Sequence, residues 1–148
     1  MGNVTTMAEV PLRVACVQME THVGQKADNL QKSERMIREA AASGARLIVL
    51  PELANFAYMF QTREEAFGLA EPVPDGETRR LWARLAKELG AIIVAGICER
   101  DGTALNNSAA VTGPNGHIGT YRKVDLWDRE ALFFEPGNLG FPVFTTDV

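Results

Sequence analysis

Two short apolar runs, Arg46–Leu50 (RLIVL) and Ala91–Cys98 (AIIVAGIC), each stand just after a glycine, Gly44 and Gly90, that closes a helical pattern. Continuous apolar runs of this length suit strands covered on both faces, whereas strands with one wet face alternate. Pro51 ends the first run because it has no N–H to give a ladder. Ahead of that run, Asp28 with Gln31 forms a capping-box pattern, and Leu30, Ile37 and Ala41 fall on one helical face. Ahead of the second run, Leu81, Leu85 and Leu89 recur every four residues with Trp82 and Ala86 beside them. Leu12–Met19, after Pro11, reads as an earlier strand. Strand–helix–strand–helix–strand predicts an α/β domain on a mixed, mostly parallel sheet.

Leu105–Thr112 and His117–Arg122 add an antiparallel hairpin through Gly113-Pro114-Asn115-Gly116. Between the first two units, Ala54–Ala70 reads as a loop with a short helix, and Pro72–Gly76 as a turn cluster. Only two long helices are available to cover the sheet. Both on one face would leave the other face apolar and in need of cover.

The 148 residues suffice for one core, and a net charge of −4 gives no general attraction to nucleic acid. No apolar run is long enough to span a bilayer. Met1–Val10 lacks the pattern of a secretory signal and reads as a flexible tail, with the folded portion over residues 11–148. Cys16 and Cys98 make neither a disulfide framework nor a metal pattern, as expected of reduced, structural thiols in a cytoplasmic protein. His22 and His117 have no ligand-type spacing.

Three polar residues at element ends carry the chemistry. Glu52 follows an interior strand, where open α/β sheets place their sites. Its apolar flanks, with Phe56, Tyr58 and Phe60, would desolvate it and tune it toward a general base. A strand-end Glu in water, or paired with an Arg, is the alternative. Lys123 ends a strand; it is either solvated or, beside a carboxylate, fit to stabilise an oxyanion. Glu130 could hold that lysine or simply start a helix. Phe56 and Tyr58 are candidate substrate-binding residues, with core filling as the competing use. Asn106 and Asn107 read as edge or turn residues without chemistry.

Leu50-Pro51-Glu52, then Tyr121-Arg122-Lys123, then Glu130 and Phe133-Phe134-Glu135-Pro136-Gly137, in this order from Leu12 to Val148, resemble the carbon–nitrogen hydrolase (nitrilase) superfamily, closest to its amidase and N-carbamoyl-amine hydrolase branches. The resemblance implies an α-β-β-α sandwich and a Glu-Lys-Cys triad with a second Glu. Glu52 matches the general base, Lys123 the oxyanion-stabilising lysine and Glu130 the supporting carboxylate. It implies a small amide, carbamoyl or nitrile substrate, no metal or organic cofactor, and a homo-oligomer for the full-length form. The family's cysteine follows a segment like Gly140–Val148, so the chain reads as the N-terminal portion of one such domain. A partner- or ligand-binding module of the same fold, and a small enzyme using Cys16 or Cys98, are the alternatives.

Overall fold

The computed structural model describes residues 11–148; the segment Met1–Val10, expected as a tail, lies outside the described residues. Five strands form one sheet in sequence order: β1 (Val14–Cys16), β2 (Leu47–Val49), β3 (Ile92–Asp101), β4 (Ala104–Gly113) and β5 (Gly116–Arg122). β1, β2 and β3 pair in parallel, while β3–β4 and β4–β5 are antiparallel. The first two strands are shorter than their apolar runs, because only three residues of each enter the ladder.

Helix α1 (Lys26–Ala42) joins β1 to β2, and α3 (Glu77–Leu89) leads into β3. A short helix α2 (Arg63–Leu69) lies within the long β2–β3 connection, and a 3₁₀ turn (Asp128–Leu132) follows β5. Asp28 is not the N-cap of α1. That position is Gln25, and Asp28 sits in the first turn, where a carboxylate still meets the positive end of the helix. Gly90 closes α3 with φ of 62°, a left-handed conformation that costs glycine nothing.

Both long helices pack on one face of the sheet. Ile37 from α1 and Trp82, Leu85 and Ala86 from α3 join Ile48, Ile93, Ala95 and Ala110 in one buried cluster. The indole N–H of the fully buried Trp82 donates to Ser33 Oγ at 3.3 Å, so the large ring is buried without an orphaned donor. A second cluster gathers Leu53, Phe56, Phe60, Cys98, Leu105, Phe133 and Phe134 beyond the carboxyl ends of the parallel strands. The first cluster holds the sheet from the helix side, and the second ties the site loops to the end of its other face.

Among the described residues no helix covers the opposite face around Val49 and Val94, as the count of helices predicts. Cys16, Val49 and Val94 lie side by side in register, with Cys16 exposed and the two valines half-buried. Val49, Val94, Ala109 and Tyr121 line a shallow concavity of about 360 Å³ there. Phe141 stacks on Tyr121 at 6.2 Å between ring centroids, and Phe144 packs over Gly119. Burial on both faces, expected for RLIVL, therefore holds on the helix side only: Ile48 is fully buried and its neighbours are not.

Candidate active site

Beyond β2 the chain passes directly over β3 at Gly96. The Gly96 N–H donates to Pro51 O at 3.2 Å, and the Ala54 N–H donates to Gly96 O at 2.9 Å. A Cβ at residue 96 would lie 2.5 Å from Glu52 Cα and 2.6 Å from Pro51 O, so only glycine admits this crossing. Three non-glycine residues with positive φ flank the site: Leu53 (46°), Ala57 (70°) and Asp128 (49°). Such conformations are sparsely populated and persist where surrounding structure enforces them.

Lys123 is fixed from two sides. Its N–H donates to Asn107 O on β4, and its carbonyl accepts from the Gly137 N–H, both at 2.8 Å. One residue earlier, Arg122 forms a buried ion pair with Glu99 at 2.6 Å and a second contact with Asp101 at 2.9 Å. Ser108 Oγ adds a 2.5 Å hydrogen bond to the Glu99 carboxylate. A buried pair of this kind registers β5 against β3 and so sets where Lys123 begins.

The three candidate residues meet, although Glu52 and Lys123 are 71 positions apart in sequence. Lys123 Nζ lies 2.8 Å from Glu52 Oε1 and 2.9 Å from Glu130 Oε2. Asn107 Nδ2 donates to Glu52 Oε1 at 2.6 Å and to Glu130 Oε1 at 2.8 Å. The Trp127 N–H donates to Glu130 Oε2 at 2.5 Å. Glu130 thus has both oxygens bound within the protein. Glu52 commits Oε1 alone; among the described residues nothing bonds its Oε2. The two carboxylates therefore differ in what they can still do: Glu130 is a fixed anion, while Glu52 has a lone-pair site free for an incoming proton.

The electrostatics follow from these contacts. Burial by itself would lower the Lys123 pKa, but hydrogen bonds to Glu52 and Glu130 and their charges outweigh it and hold the amine above the ordinary lysine range. Burial likewise works to raise Glu130, yet bonds from Tyr58, Trp127, Lys123 and Asn107 hold it below the ordinary carboxylate range. The Tyr58 phenol is pushed up, by burial first and then by its bond to Glu130 and the charges of both acids. Desolvation of Glu52 does not occur to the degree its flanks suggest: its side chain is 43% exposed, against 3% for Glu130. The aromatic residues turn into the second cluster instead of closing over it.

The candidate substrate residues part company. Phe56 is 1% exposed, a core residue with Lys26 Nζ 5.7 Å from its ring centroid. Tyr58 lines a cavity of about 280 Å³ with Met59, Phe60, Trp127 and Glu130. Neither thiol joins the charged group. Cys98 is sealed in the second cluster, its thiol pushed up to about 12 by burial and then by the charges of Glu71 and Glu99. Cys16, expected to be a buried small hydrophobe, is exposed on the edge strand β1. Asn107 is the site residue that the sequence reading missed. The available signal was a polar Asn-Asn pair inside an otherwise apolar strand, since a buried amide must find partners.

The sheet order and the sequence of motifs along the chain agree with the family that the motifs resemble. Residues 13–148 match the carbon–nitrogen hydrolase family, and the chain belongs to it. A nitrilase of Pyrococcus abyssi is 50% identical over 133 residues, covering 90% of this chain and 51% of that protein. An N-carbamoylputrescine amidase of Arabidopsis thaliana is 39% identical, over 80% of this chain and 42% of its own length. The chain thus spans about half the length of these curated relatives. Among solved structures, a carbon–nitrogen hydrolase from Helicobacter pylori superposes with a TM-score of 0.81 at 25% identity, covering 92% of this chain and 48% of that one.

Proposed function

We propose that this chain contributes the acid–base and oxyanion-stabilising half of a carbon–nitrogen hydrolase acting on a small non-peptide amide or N-carbamoyl compound. The observation that carries this reading is the contact of Lys123 Nζ with both Glu52 and Glu130. Glu52 is the general base, Lys123 steadies the oxyanion, Glu130 supports the lysine, and Tyr58 walls the substrate pocket. The nucleophile is a cysteine other than Cys16 and Cys98, one exposed on the edge strand and the other sealed in the core.

In the reaction, Glu52 Oε2 takes the thiol proton and the thiolate attacks the carbonyl carbon. The tetrahedral oxyanion forms against the Lys123 ammonium, which stays charged because two carboxylates hold its proton. Glu52 returns the proton to the departing nitrogen, which leaves as ammonia or an amine. A water, deprotonated by Glu52, then hydrolyses the thioester and frees the thiol. An amidase-type relative such as the omega-amidase of Danio rerio, 39% identical over 87% of this chain, supports an amide as the substrate class, and the 50% identical nitrilase keeps nitriles in the panel that tests it.

The test is expression of the whole reading frame that contains this chain, with ammonia release measured across simple amides, N-carbamoyl amines and nitriles. Glu52→Gln should lower kcat by about 10²–10⁴-fold while leaving the fold intact. Turnover that survives both Glu52→Gln and Lys123→Met would overturn the assignment. Ligand binding without any ammonia release would instead favour a binding module of the same fold.

A further inference from the structure

Lys123 Nζ and Asn107 Nδ2 touch the same two oxygens, Glu52 Oε1 and Glu130 Oε1. The amine lies at 2.8 and 3.1 Å and the amide at 2.6 and 2.8 Å. Donors and acceptors therefore alternate around a closed ring. Two carboxylates that share one ammonium carry a net negative charge, and like charges at this range resist joint ionisation. A second cation would relieve that repulsion but would also quench the basicity of Glu52. An apolar side chain would leave the carboxylates facing each other across a gap. A neutral amide with two N–H groups is the remaining solution, because it bonds both anions without adding charge. Carboxylates only accept, so the amide nitrogen must face them.

The side chain is held where this requires. Asn107 is 4% exposed on β4, which is paired on both sides, by β3 and β5. Its own carbonyl accepts the Lys123 N–H at 2.8 Å. One residue thus fixes the main chain of the lysine and the carboxyl groups of both acids. We propose that Asn107 is a positioning residue of this site, a neutral double donor that lets one lysine serve two carboxylates and leaves Glu52 Oε2 as the free, proton-accepting oxygen. The catalytic consequence rests on the hydrolase reading above; the electrostatic one does not.

The experiment uses the protein expressed from its whole reading frame, with Asn107→Leu, Asn107→Ser and, as a control one place along the same strand, Asn106→Leu. Asn106 donates to Glu135 O and touches neither acid. The first readout is the ¹³C titration of the Glu130 carboxyl. Asn107→Leu should raise its midpoint by about one unit, roughly a tenfold change in proton affinity; Asn106→Leu should leave it in place. The second readout is turnover, where Asn107→Leu should lower kcat about 10²-fold with KM little changed, as expected of displaced reacting groups. Should Asn107→Leu not fold, Asn107→Ser, which keeps one donor, should show the same changes at smaller size. A Glu130 midpoint unmoved in whichever Asn107 variant folds overturns the proposal. If the parent protein shows no turnover while the midpoint shifts, the hydrolase reading fails and the positioning role stands.

Discussion

Gly96→Ala tests how Glu52 is placed. The added Cβ would sit 2.5 Å from Glu52 Cα and from Leu53 N, and 2.6 Å from Pro51 O. All three are main-chain atoms, so no rotamer change can relieve the overlap. The crossing segment must lift, and the bonds Gly96 N–H to Pro51 O (3.2 Å) and Ala54 N–H to Gly96 O (2.9 Å) lengthen with it. Overpacking costs about 1–3 kcal/mol, and each weakened bond costs on the order of 1 kcal/mol. A total of roughly 3–5 kcal/mol corresponds to a Tm lower by roughly 9–15 °C for a domain of this size. Differential scanning calorimetry reads the shift. Gly68→Ala, in helix α2 with open space around its Cβ, is the matched control and should be neutral or slightly stabilising. If Gly96→Ala melts within about 1 °C of the parent, where ~3 °C is worth a kcal/mol, the segment is not clamped at this crossing and the account of Glu52 placement is wrong.

Other expectations follow from the same geometry. Iodoacetamide at neutral pH should modify Cys16 and spare Cys98 until the protein is unfolded, as peptide mapping will report; rapid modification of Cys98 would contradict its burial and its pKa of about 12. Glu130 has its pKa lowered by folding, so it adds stability that is present above the ordinary glutamate value of about 4.3 and is lost as pH falls through and below it. Urea midpoints from pH 7 down to pH 3 should therefore fall less steeply in Glu130→Gln than in the parent. Arg122→Met strands the Glu99 carboxylate, whose side chain is 4% exposed, and should cost about 3–5 kcal/mol by urea denaturation. Arg122→Met with Glu99→Met should recover a large part of that loss.

The order of strands and helices was legible because it rests on local signals. Gly90, the apolar run after it and the Gly113–Gly116 turn each fix their element without help from distant residues. The convergence of Glu52, Lys123 and Glu130 was legible through motif order, since strand ends gather at one edge of the sheet. What stayed hidden depended on contacts across strands. Asn107 acquires its meaning only when β4 lies between β3 and β5: the Asn-Asn pair within a strand signals buried amides but not the partners they meet. Gly96 sits inside an apolar strand, and the backbone that crosses it comes from 42 to 45 residues earlier. Burial was misjudged for Cys16 and Glu52 for a single reason: apolar neighbours along the chain do not say which side of a sheet is covered. Phe56 and Tyr58, two residues apart, likewise end in different surroundings because the chain turns at Ala57.

The main-chain anchorage of Lys123 has a practical corollary. Its peptide groups are gripped by Asn107 and Gly137, both outside the cavity that Tyr58, Met59 and Trp127 border. Met59 and Trp127 are 70% and 69% exposed. Changing those two side chains alters the shape and polarity of the entrance while the ammonium keeps its address. On the proposed hydrolase reading, the side chains that border this pocket are separate from the main-chain bonds that place the ammonium, and a library randomised at Met59 reshapes the pocket without touching those bonds.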